Sequence, residues 1–147
     1  ELDALFNKRS GMMGMTGFGD LREVHRLVAE GNEDAKLALD VYVHRIVGYI
    51  GNYTAQMGGV DVITFTAGVG ENDDVVRKMV CDKLAPFGVK LDEEKNATRS
   101  KEPRIISTPD SKITICVIPT NEELAIARKS AAIAEAGEDT YGNVFSK

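Results

Sequence analysis

Residues 58–74, GGVDVITFTAGVGENDD, constrain the fold more than any other part of the chain. Val60 to Phe65 is a run rich in β-branched and aromatic residues, the pattern of a buried strand. It follows Gly58-Gly59 and ends at Gly68-Val69-Gly70. From Asp73 to Leu84 the pattern is helical, closed by Pro86 and Gly88. A strand that passes through glycines into a helix start belongs to an α/β domain. Such a corner also leaves the first N–H groups of the helix unpaired, beside backbone that carries no side chain, where an anion can approach.

Two familiar nucleotide motifs are excluded. A dinucleotide fingerprint requires a third glycine three positions after the second, and Asp73 stands there. A Walker A loop requires Gly-Lys-Ser/Thr, which is absent. Glu71, Asp73 and Asp74 favour the helix start they occupy and repel a bare triphosphate. Two readings of Gly-x-Gly stay open. It is a plain strand-to-helix turn, or a place where backbone passes beneath the sugar or a phosphate edge of a nucleotide. In the second reading a cation offsets the acidic charge and Asn72 supplies an amide hydrogen bond.

The rest of the chain fits around this corner. Leu2, Leu5 and Phe6 suggest a short helix stopped by Gly11, and residues 11–19, GMMGMTGFG, read as a glycine-rich loop. Asp20 is an N-cap candidate with Glu23 at capping-box spacing, and Gly31 ends that helix. A long helix is expected from about Asp34 to Met57, its apolar face carrying Leu39, Val43, Ile46, Val47, Ile50 and Tyr53. Gly48 and Gly51 within it would admit a closely packed neighbour. Downstream, GVKL reads as a short strand and DEEKNATRSKEP as a solvated connection. RIIS and ITICVIP read as a hairpin about TPDSK, and TNEELAIARKSAAIAEAG as a final helix. Residues 1–136 are expected to form one domain, and 137–147 a polar tail that is a candidate for disorder.

Two further segments carry candidate chemistry. Arg22, at a helix start after GFGD, is placed to reach a phosphate or stack on a base, or else is an exposed helix-surface arginine. Thr120-x-x-Glu123 has capping-box spacing, which gives Glu123 a structural job and leaves Glu122 free for water or a metal. Mg²⁺ uses hard oxygen ligands, often one or two carboxylates with phosphate and water; a plain surface glutamate is the alternative. His25 and His44 lie in helices with no partner at metal-ligand spacing. No Ser-His-Asp or Cys-His arrangement supports covalent hydrolysis. The formal charge of −5, without a Lys/Arg cluster, argues against nucleic acid or an anionic membrane as partner. No apolar run is long enough to span a bilayer. The two cysteines, Cys81 and Cys116, read as buried hydrophobes of a reduced, cytoplasmic protein. The chain opens at Glu1 inside an amphipathic pattern, as a fragment would.

With SGMMGMTG…DLREV, GGVDVITFTAGVGEN and VIPTNEELAIAR in this order, the chain resembles the C-terminal portion of the acetokinase family, up to about residue 135. The resemblance implies a ribonuclease-H-like α/β domain of the actin, hexokinase and sugar-kinase ATPase superfamily, in its C-terminal copy. It implies reversible, Mg²⁺-dependent phosphoryl transfer between ATP and acetate or a similar short-chain carboxylate, giving ADP and acetyl phosphate. Asp20, Leu21 and Arg22 match the family's adenosine-side segment. Gly68, Val69, Gly70, Glu71 and Asn72 match its nucleotide loop, with Val69 for the usual Ile, and Glu122 matches the glutamate associated with Mg²⁺. Family members are more than twice as long, so the catalytic residues are expected in an absent N-terminal part. Family members pair through this domain, so a homodimer is expected, with the long helix at Gly48 and Gly51 as packing surface. The competing expectations are a non-catalytic nucleotide-binding or dimerisation module, and a stable α/β fragment that binds nothing alone.

Overall fold

The computed structural model describes residues 1–136, so the expected tail over 137–147 lies outside the described residues. Four helices lead: α1 (Leu2–Lys8), α2 (Gly11–Thr16), α3 (Leu21–Ala29) and α4 (Glu33–Met57). Strand β1 (Val62–Phe65) runs into α5 (Ala67–Asn72) and α6 (Asp74–Leu84), then a 3-10 turn at Ala85–Phe87 and α7 (Glu93–Ala97). Strands β2 (Arg104–Ile105) and β3 (Thr114–Val117) precede α8 (Glu122–Ala136). The strands form one mixed sheet in the order β1-β3-β2. β1 is parallel to β3, with Ile63 opposite Ile115 and Phe65 opposite Val117. β2 is antiparallel to β3, so the expected hairpin is present.

The core lies where helices meet the central strand. Ile115 and Val117 of β3 are fully buried beside Ile106, against Val76, Val80 and Leu84 of α6, Leu39 and Val43 of α4, and Val24 of α3. The four-residue spacing of Leu39/Val43 and of Val76/Val80/Leu84 stacks each set on one helix face. Each such side chain contributes roughly 1.5–3 kcal/mol by leaving water, so helix packing supports strands that are only four residues long. α4 packs on α2, α3 and α6 and forms the scaffold behind them. It is capped by Asn32, whose side chain accepts from the Ala35 N–H, and is closed by Gly58 at φ +74° with the Gly59 N–H bonded to the Thr54 carbonyl.

Several segments depart from expectation. Residues 11–16, read as loop, are helical. Met12 packs against the core, the Thr16 hydroxyl donates to the Met12 carbonyl, and Gly17 closes the turn in the left-handed region. Apolar packing here outweighs the low helix propensity of glycine. GVKL forms no strand, only a single bridge between Leu91 and Ser107. The connection 92–103 contains α7, because Asp92 caps it and Asn96 is buried by partners far away in sequence. A Cβ added at Gly48 or Gly51 would meet nothing within 4 Å, so no described element packs closely there. Cys81 is buried and Cys116 only half-buried.

Candidate functional site

The start of α3 is built as expected in part. Asp20 is the N-cap, its Oδ1 accepting from the Arg22 N–H at 2.9 Å. The Arg22 guanidinium folds back onto the same carboxylate, with Nη2 at 2.5 Å from Oδ2. That side-chain hydrogen bond is the main reason the Asp20 carboxyl is held down to about 2. The capping box does not form: Glu23 pairs with Arg26 at 3.0 Å instead. Arg22 is 90% exposed, a guanidinium at the surface with a single carboxylate partner.

The Gly-x-Gly corner is not an open turn. Ala67, at φ +58°, bends the chain sharply out of β1, and residues 67–72 then coil as α5. The two glycines do different work. A Cβ at Gly70 would lie 3.1 Å from the Phe65 carbonyl carbon, so α5 sits on the end of β1 only because that side chain is missing. A Cβ at Gly68 would meet nothing within 4 Å. The Asn72 amide, expected to serve a ligand, donates to the Gly68 carbonyl at 2.8 Å within α5.

Buried Arg77, on α6, holds α5 in place. Its Nη1 donates to the Gly70 and Glu71 carbonyls at 2.9 and 3.0 Å. Its other donors reach the Asn96 side chain at 2.8 Å and the Asn96 carbonyl at 2.7 Å. Asn96 in turn donates to the Asp74 carbonyl. Burial, and then the charge of Arg104, pull the guanidinium below its ordinary value, yet all three of its nitrogens find acceptors.

Glu71 and Asp73 tie the corner to other segments. Glu71 accepts from the Thr120 N–H at 2.8 Å and the Thr120 hydroxyl at 3.1 Å. The backbone bond is the first cause of its lowered carboxyl value. Asp73 caps α6 through Oδ1, which accepts from the Val76 N–H, and its Oδ2 lies 2.7 Å from His25 Nε2. His25 therefore has a partner that its place in α3 does not reveal. The cap of α8 is Asn121, whose side chain accepts from the Leu124 N–H, and not Thr120. The capping argument that separated Glu122 from Glu123 therefore fails; both are exposed in the first turn of α8. Among the described residues no three His, Cys, Asp or Glu side chains gather to hold a metal.

An open cleft of about 810 Å³ lies between these elements. Gly19, Asp20, Leu21 and Arg22 line it from the start of α3, and Gly68, Val69, Asn72 and Asp73 from α5 and the α6 cap. Met12, Tyr42 and Arg99 complete the lining. The structure thus brings together six expected residues: Asp20, Leu21, Arg22, Gly68, Val69 and Asn72. Gly70, Glu71 and Glu122 do not line the cleft. Sequence reasoning missed Met12, Tyr42, Asp73 and Arg99. Tyr42 is half-buried on α4, with burial raising its hydroxyl, and only its helix-face position hinted at it. Arg99 lay in the segment read as solvated.

A model of the acetokinase family matches residues 1–128. The chain is 52% identical over 137 residues to an acetate kinase of Leifsonia xyli subsp. xyli, covering 93% of this chain and 34% of that protein. The crystal structure of Porphyromonas gingivalis acetate kinase superposes with a TM-score of 0.80 at 42% identity, covering 90% of this chain and 34% of that one. A propionate kinase from Francisella tularensis subsp. tularensis SCHU S4 gives 0.78 at 38% identity, covering 87% and 32%. The chain spans about a third of the length of the curated relatives it matches. The α/β fold is that of the superfamily expected from the resemblance.

Proposed function

The chain belongs to the acetokinase family, and from that premise we propose that it supplies the nucleotide side of an acetate kinase. The whole protein would move a phosphoryl group reversibly between ATP and acetate, or a similar short-chain carboxylate, giving ADP and acetyl phosphate. The observation that carries this reading is the cleft in which Asp20, Leu21 and Arg22 face Gly68, Val69 and Asn72 across about 810 Å³. Leu21 and Arg22 serve the adenosine side, and the side-chain-free backbone at Gly68 lets the sugar or a phosphate edge approach α5. Arg22 and Arg99 are the cleft's cations, and a phosphate that draws Arg22 from Asp20 exchanges one anionic partner for another.

Glu122 is proposed as the carboxylate that meets Mg²⁺, now on the family resemblance alone. Glu71, by holding Thr120, keeps the start of α8 beside α5. When bound there, the ion would supply positive charge against the phosphates. The residues that grip the acceptor and stabilise the transferring group are assigned to the part of the protein outside this chain. The domain comprises residues 1–136, and the protein is cytoplasmic and homodimeric. No helix among the described residues is long and apolar enough to cross a membrane. Exposed Tyr49 and Tyr53, beside the open face of Gly48, support self-association through α4; a clean monomer by light scattering at high concentration contradicts that part.

The test is a thermal melt. At ~100-fold excess over Kd, a ligand specific for the folded state stabilises it by about 2.7 kcal/mol, so millimolar ADP should raise the midpoint by several degrees. No shift overturns the reading. With Mg²⁺ present the shift should grow, and Glu122→Ala should abolish that increment while Glu123→Ala keeps it. Equal losses remove Glu122 from the metal.

A further inference from the structure

We propose that His25 is a positioning residue for nucleotide binding, setting the distance between the two walls of the cleft through its bond to Asp73; this rests on the nucleotide reading above. One wall is the first turn of α3, the other is α5 with the cap of α6. Among the described residues, His25 Nε2 to Asp73 Oδ2, at 2.7 Å, is the only hydrogen bond that joins α3 to α5 or α6. His25 stands four residues after Leu21 and three after Arg22, so it shares their helix face, one turn behind the cleft. Its side chain is 25% exposed and that of Asp73 12%, so the bond is largely shielded from water.

Asp73 divides its oxygens. Oδ1 caps α6 and Oδ2 meets His25, so one carboxylate fixes both the helix that carries Arg77 and the separation of that helix from α3. Arg77 in turn holds the end of α5. A shift at His25 therefore passes by bonded groups to Gly68 and Asn72 on one side and to Leu21 and Arg22 on the other. A ligand that bridges both walls binds less tightly when the walls are free to part, because it must then restrain them itself.

Substitutions separate this role from ordinary stability. Asp73→Ser keeps a capping oxygen for α6 but is too short to reach His25. His25→Leu removes the donor, and His25→Gln places an amide N–H near the position of Nε2. ADP affinity is measured by titration calorimetry on the 147-residue chain, with circular dichroism confirming that each variant is folded at the same temperature. Asp73→Ser and His25→Leu should each raise the Kd for ADP about tenfold, the double variant should be no worse than either, and His25→Gln should recover most of the loss. Asp73→Ser and His25→Gln keep the test valid if His25→Leu does not fold. Unchanged affinity in folded Asp73→Ser, or no rescue by His25→Gln, overturns the positioning role while leaving the nucleotide site standing. A wild-type chain that binds no ADP overturns the nucleotide site, and the positioning role with it.

Discussion

The Arg77 guanidinium, on a residue only 2% exposed, reaches the last carbonyls of α5 and both the side chain and carbonyl of Asn96. Removing it strands several buried acceptors at once. Arg77→Leu should therefore cost about 3 kcal/mol or more in urea unfolding, beyond the effect of a surface change. Arg77→Lys should recover little, since one ammonium cannot span two sides of a planar fork; full recovery contradicts the network. Asp20 gives a pH test. Its folded value, about 2, lies below the ordinary 3.8, so its contribution is present above pH 3.8 and is lost as pH falls toward 2. Carbon-detected NMR should place the Asp20 midpoint near 2 in the wild type and higher in Arg22→Ala, yet still below 3.8, because the backbone N–H of residue 22 goes on capping the carboxylate. Saturating ADP should also raise the wild-type midpoint if phosphate takes Arg22; an unmoved midpoint argues that Arg22 stays on Asp20.

Among the elements, α5 shows most clearly how far the sequence can be read. Its two glycines make separable predictions. Gly70→Ala drives a Cβ to 3.1 Å from β1 backbone and should destabilise by about 1–3 kcal/mol. Gly68→Ala meets open space, so stability should hold or rise by up to about 1 kcal/mol, while ADP affinity falls because the added methyl stands in the cleft. Equal behaviour of the two in melts and titrations contradicts the assignment. AGVGEN looked like a turn because nothing local favours a helix there. What holds it is Arg77 from α6, Glu71 on Thr120 and the seat of Gly70 on Phe65. α7 was hidden in the same way, its Asn96 fixed by a partner 19 residues away. By contrast the Asp20 cap and the Gly58 closure were legible because each rests on neighbours a few residues apart, and the β2–β3 hairpin because two apolar runs flank one short polar turn. The Thr120 box failed on the same principle: Thr120 is drawn to Glu71, 49 residues distant, and Asn121 takes the cap.

At the scale of the molecule, the start of α3 and the α5–α6 corner, far apart in sequence, meet across one cleft, with α4 packed on both α3 and α6. Asp20, Leu21, Arg22, Gly68, Val69 and Asn72, which line one cleft, were singled out by their local pattern and by resemblance. The tie between His25 and Asp73, 48 residues apart, was not, since it depends on how α3 and α6 both pack on α4. A nucleotide bound in the cleft between α3 and α5 would contact both walls at once. The most direct test is an ADP titration of the isotopically labelled chain followed by amide NMR. Saturable shifts should concentrate at residues 19–22 and 68–73, with Arg99 among the responders. Shifts that map elsewhere, or none at millimolar ADP, would contradict nucleotide binding in the cleft.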